Sequence, residues 1–96
     1  MIYNKIKNIL IYYLERDNSK EEILEFQKQF EVLFDTFKDE LFYELDEKKF
    51  EALDQIYMLF DSYEENEDIR KFEHYCIDET MLIKRINEVF KSALDS

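Results

Sequence analysis

The sequence predicts an all-α fold, a single-domain antiparallel four-helix bundle over residues 1–96, and three observations lead there. Large apolar residues recur at three- and four-residue spacing in four separate stretches, the period that lines one side of a helix. The chain has no Gly and no Pro, which removes the residue that tight hairpins and phosphate loops rely on for positive φ. Nine Phe and seven Tyr within a 46% hydrophobic composition supply one core to a chain of single-domain size, although 39% of it is charged.

Each helix follows from its own pattern. Ile2, Ile6, Ile9, Leu10, Tyr13 and Leu14 form the stripe of a first helix over about Ile2 to Glu15. Asp17, Asn18 and Ser19 interrupt it, and Ser19 with Glu22 has the spacing of a capping box, so a second helix is expected from near Lys20. Its stripe, Ile23, Phe26, Phe30, Leu33, Phe34, Phe37 and Leu41, is the longest in the chain. The pattern leaves open a run to Leu45 or a break near Asp39, and the turn is set at Leu45 to Glu47. Asp46 can cap a third helix with Phe50, Leu53, Ile56, Tyr57 and Phe60 on its inner face, ending near Tyr63, which falls on the same stripe. Residues 64 to 77 show no sustained period and read as a connector with room for some helix. Asp78 can cap the last helix, Glu79 to Leu94, with Leu82, Ile83, Ile86, Val89, Phe90 and Ala93 inward.

Charge then narrows the function classes. Thirteen Lys and Arg against 24 Asp and Glu give a net charge of −11, which repels nucleic acid and anionic lipid and attracts basic surfaces. Neither direct nucleic-acid binding nor membrane association is expected. No apolar run is long enough to span a bilayer, and the first residues lack the pattern of a secretory signal, so a cytoplasmic location is expected. One Cys and one His cannot supply a disulfide or a Cys/His zinc site. His74 stands between Glu73 and Cys76, but neighbours on a helix point apart and no orienting third group is evident. Asp61, Tyr63, Glu65 and Glu67 alternate like calcium-loop ligands, without the Gly such a loop needs. No enzyme, no cofactor and no metal are expected.

The densest acid lies between the third and fourth helices, where residues 61 to 79 hold eight acids against two bases. Asp61, Tyr63, Glu64, Glu65, Glu67, Asp68, Asp78 and Glu79 are the candidate partner-binding residues. An aromatic anchor in an acidic field suits a protein interface, with Tyr63 as that anchor. A solvated connector would carry the same charges, and Asp78 and Glu79 at a helix start also serve capping and the helix dipole. Whether Asp61 and Asp78 are structural caps or contacts stays open.

Several stretches then match one family in order and spacing. Tyr12-Tyr13-Leu14-Glu15-Arg16 closes the first helix, and Ser19 to Glu22 opens a Phe-bearing second. Phe50-Glu51-Ala52-Leu53 leads to Leu59-Phe60-Asp61-Ser62-Tyr63, then Asp68-Ile69-Arg70, then Ile77-Asp78-Glu79 before a helix with Leu82 and Ile86. Over most of its length the chain resembles the helical immunity proteins of the colicin D type and of contact-dependent growth inhibition systems. It departs from their pattern in having neither Pro nor Gly in its turns. The resemblance implies a four-helix bundle that binds the nuclease domain of a cognate toxin, often a tRNA-cleaving one, and covers its basic active site. A monomer is expected when free. The reading from another class is an acidic helical adaptor or nucleic-acid mimic that inhibits a DNA-binding protein.

Overall fold

A computed structural model describes residues 2–64, 66, 69, 71 and 77–94. These residues form five α-helices: α1 (Ile2–Leu14), α2 (Lys20–Thr36), α3 (Lys38–Glu44), α4 (Glu47–Ser62) and α5 (Glu79–Val89), the last continued by a π-helical turn, Phe90–Leu94. The fold is all-α, with one isolated parallel bridge, Tyr63 to Ile77, among the described residues. α1 packs on α2 and α5, while α4 packs on α2, α3, α5 and the π turn, so α1, α2, α4 and α5 close a circuit around one core.

Capping sets the helix starts. Ser19 Oγ accepts from the Glu22 N–H at 3.2 Å and Glu22 Oε1 accepts from the Ser19 N–H at 3.3 Å, which is the reciprocal capping box. Asp46 accepts from the Lys49 N–H and Asp78 from the Met81 N–H, both at 2.8 Å, each satisfying a donor that has no partner inside its own helix.

The expected second helix is bent into two. The bend sits at Phe37, with φ −114° and ψ 21°, ahead of the break expected near Asp39. Its N–H still donates to the Leu33 carbonyl at 3.1 Å and its carbonyl accepts from the Leu41 N–H at 2.9 Å, so the backbone changes direction without orphaning these groups. Leu41 stays fully buried while Phe37 is half-buried. The turn expected at Leu45 to Glu47 lies where α3 ends on Leu45 and Asp46 opens α4.

The core is a line of aromatic rings. Tyr13 stacks on Phe26 with centroids 4.6 Å apart, Phe26 meets Phe60 edge-on at 4.9 Å, and Phe30 lies 5.5 Å from Phe60 and 5.8 Å from Phe34. Ile6, Leu10, Ile23, Leu53, Ile56, Leu82 and Ile86 fill around them with no exposure. No charged or polar residue is buried among the described residues. The π turn holds one more residue than an α turn, which buries Leu94 together with Phe90 and leaves Ala93 only partly covered.

Candidate functional site

The Tyr63–Ile77 bridge decides how the expected site is arranged. The Glu64 N–H donates to the Ile77 carbonyl at 3.1 Å, and the Ile77 N–H donates to the Ser62 carbonyl at 2.9 Å. The end of α4 and the start of α5 are thereby tied together, and Asp61 and Glu64 come to the same end of the molecule as Asp78 and Glu79. Glu79 reaches across to α2, with Oε1 3.9 Å from Lys20 Nζ. Glu64 Oε1 accepts from the Asn66 N–H at 3.0 Å.

The members of the expected set do not play equal parts. Tyr63, expected as the aromatic anchor, is 9% exposed and belongs to the core cluster, which leaves little of its ring at the surface. Its place on the α4 stripe, one turn past Phe60, wins over its acidic neighbours in sequence. Asp78 caps α5 through its side chain yet remains exposed. Asp61 is exposed on α4. Glu65, Glu67 and Asp68, together with His74 and Cys76, lie outside the described residues.

Asp61 also takes part in a second group of carboxylates. The Tyr57 hydroxyl donates to Asp35 Oδ2 at 3.5 Å, and its pKa is raised above the ordinary tyrosine value, first by the Asp35 carboxylate, then by partial desolvation and by Glu31 and Asp61. Three acids from α2 and α4 therefore act on one phenol, each disfavouring a further negative charge beside it. Among the described residues no three His, Cys, Asp or Glu side chains lie close enough to hold a metal ion.

A third surface lay outside the sequence reading. Phe42 is 62% exposed and Tyr43 85% exposed on α3, flanked by Asp39, Glu40 and Glu44. The two rings meet edge-on at 5.7 Å, and Phe42 also meets the half-buried Phe50 edge-on at 5.3 Å. The available signal was the pair Phe42-Tyr43 one step beyond the inward-facing Leu41, off the stripe. A separate shallow groove of about 670 Å³ lies between α4 and α5, with Met58 and Met81 beside Lys84 and Arg85 on its walls.

No helix among the described residues is long and apolar enough to cross a membrane. No protein-family model, curated protein or solved structure matches the chain.

Proposed function

We propose that the chain is an immunity protein of the helical type its motifs resemble, a non-catalytic partner that neutralises a toxin nuclease, of the tRNA-cleaving kind, by covering its basic active site with carboxylates. The architecture proposed with it is an antiparallel four-helix bundle in which α2 and α3 count as one bent arm. The observation that carries this reading is the Tyr63–Ile77 bridge, because it gathers the two halves of the acidic motif at one end of the fold. A nuclease that grips phosphates presents Lys and Arg, and a rigid surface bearing carboxylates competes for the same groups.

In this reading Asp61, Glu64, Glu65, Glu67, Asp68, Asp78 and Glu79 stand in for substrate phosphates, and Tyr63 supports them from the core. The site is cytoplasmic and needs no cofactor. The test is co-expression with the carboxy-terminal domain of a tRNA-cleaving toxin of the colicin D or contact-dependent type. Intact tRNA and co-purification of the two proteins support the proposal, whereas cleaved tRNA with no complex removes it. If the chain instead releases DNA from a DNA-binding protein and leaves the nuclease active, the mimic reading takes its place.

A further inference from the structure

We propose that α3 is a docking surface for a basic protein, with Phe42 and Tyr43 as its anchors and Asp39, Glu40 and Glu44 as its charged rim. The inference rests on the reading of the chain as an acidic partner of basic proteins, but it concerns a different end of the molecule. α4 runs from the Asp46 cap beside α3 to Ser62, so α3 lies at the opposite end of that helix from Asp61, Glu64, Asp78 and Glu79.

Two features make the α3 end more than an exposed turn. Its aromatic rings are turned outward although the fold has an aromatic core within reach, for Phe42 meets Phe50, and Phe50 meets the buried Phe34 at 5.9 Å. Phe42 is thus braced from beneath while most of its ring remains in water, and Tyr43 braces it from the side. Two of the three local bases, moreover, lie over rings of the fold, while Lys48 is exposed. Lys38 lies over the Phe34 ring at 5.7 Å and Lys49 over the Tyr3 ring at 5.5 Å. Neither ion pair among the described residues, Arg16 with Glu22 and Lys20 with Glu79, neutralises Asp39, Glu40 or Glu44.

Charge complementarity then names the occupant. Nucleic acid and anionic membranes are repelled by a surface of this sign, whereas arginine satisfies both parts of it. A guanidinium pairs with a carboxylate through its N–H fork and stacks its flat face on a phenyl or phenol ring. Lysine can do only the first well. The expected partner is a protein that presents exposed arginines, and two rings with few rotatable bonds suit the anchor role because little freedom is lost when they are covered.

The probe is a soluble peptide of alternating Arg and Ala, titrated against the isotope-labelled protein, with Lys-Ala as the charge-matched control. Amide shifts centred on Leu41 to Leu45, with tighter binding of the Arg peptide, are expected. Phe42→Ser and Tyr43→Ser together should weaken that binding roughly tenfold or more, as truncating a hot-spot aromatic does, while the far-ultraviolet circular dichroism stays helical. Tyr43→Ser alone, whose ring contact is with Phe42, guards against a folding artefact from Phe42 and should give part of the loss. Shifts spread evenly over all carboxylates, or centred on Asp78 and Glu79, overturn the proposal, as does binding indifferent to both substitutions. Self-association through α3, or partitioning of the protein onto phosphatidylcholine vesicles that vanishes in the double variant, overturns it too. Failure of the immunity reading shows separately, as cleaved tRNA in the co-expression test even when the peptide maps to α3.

Discussion

Three tyrosines hold their hydroxyl protons more tightly than a free phenol, Tyr3 and Tyr13 mainly through burial and Tyr57 mainly through the Asp35 carboxylate. A folded-state pKa above the unfolded value of 10.0 means that the unfolded chain loses these protons first as pH rises. The stabilising contribution is therefore complete below that value and is lost as pH climbs through the folded pKa. Denaturant midpoints should hold steady at neutral pH and fall above about pH 10. Tyr57→Phe should fall less steeply, and an alkaline slope equal to that of the wild type would take Tyr57 out of the carboxylate field. In the core, Phe30→Ala should cost about 3 to 5 kcal/mol, because Phe30 is fully buried between Phe34 and Phe60. A loss under about 0.5 kcal/mol, the scale of a surface site, would contradict that burial. Periodicity made Phe30 legible, since its stripe runs unbroken on either side. Tyr63 obeyed the same rule against its acidic neighbours, which shows spacing to be the stronger signal where the two conflict.

Caps were the most legible feature at the level of elements, because a short polar side chain three residues before a backbone N–H has few other uses in an apolar-patterned chain. Ser19, Asp46 and Asp78 each open the helix expected of them. The bend at Phe37 was not legible at its true position. No Gly or Pro marks it, and the hydrogen bonds of Phe37 to Leu33 and Leu41 persist through it, so only packing of α3 against α4 reveals the change of direction. Exposure of Phe42 and Tyr43, by contrast, was marked in the sequence by their place off the stripe that ends on the buried Leu41. Asp78 offers a test that separates cap from contact. Asp78→Ala should lower stability by about 0.5 to 2 kcal/mol, whereas Asp78→Asn keeps an acceptor for the Met81 N–H and should lose far less. If the Asn variant folds as firmly as the wild type but protects poorly against the nuclease, the charge of Asp78 is a contact. If protection follows stability through both variants, Asp78 is a cap and nothing more.

At the scale of the molecule, the −11 charge is distributed along a body 40 Å long and 24 Å across. Exposed charges are screened beyond about 8 Å at physiological salt, so a bound partner responds to the acids beneath it, while at low salt the whole field draws it in. Raising salt should accordingly slow association more than it speeds dissociation, and an association rate indifferent to salt would remove the electrostatic mechanism. Locating the site requires variants of equal charge. One replaces Glu64, Glu65, Glu67 and Asp68 with Gln or Asn, and its match replaces Glu15, Glu21, Glu25 and Glu88, which are exposed on the turn after α1, on α2 and on α5. Glu31 and Asp35 are left intact in both because they share the Tyr57 environment with Asp61. Each variant loses the same charge, so at low salt both should associate more slowly by similar factors. At physiological salt they should part. Truncating a carboxylate that is desolvated against a toxin base costs about 2 to 5 kcal/mol, and the connector variant alone should show that loss as faster dissociation. With both variants equally stable, loss of nuclease binding in the matched set and not in the connector set would move the proposed site off the α4–α5 end without removing the proposed immunity function.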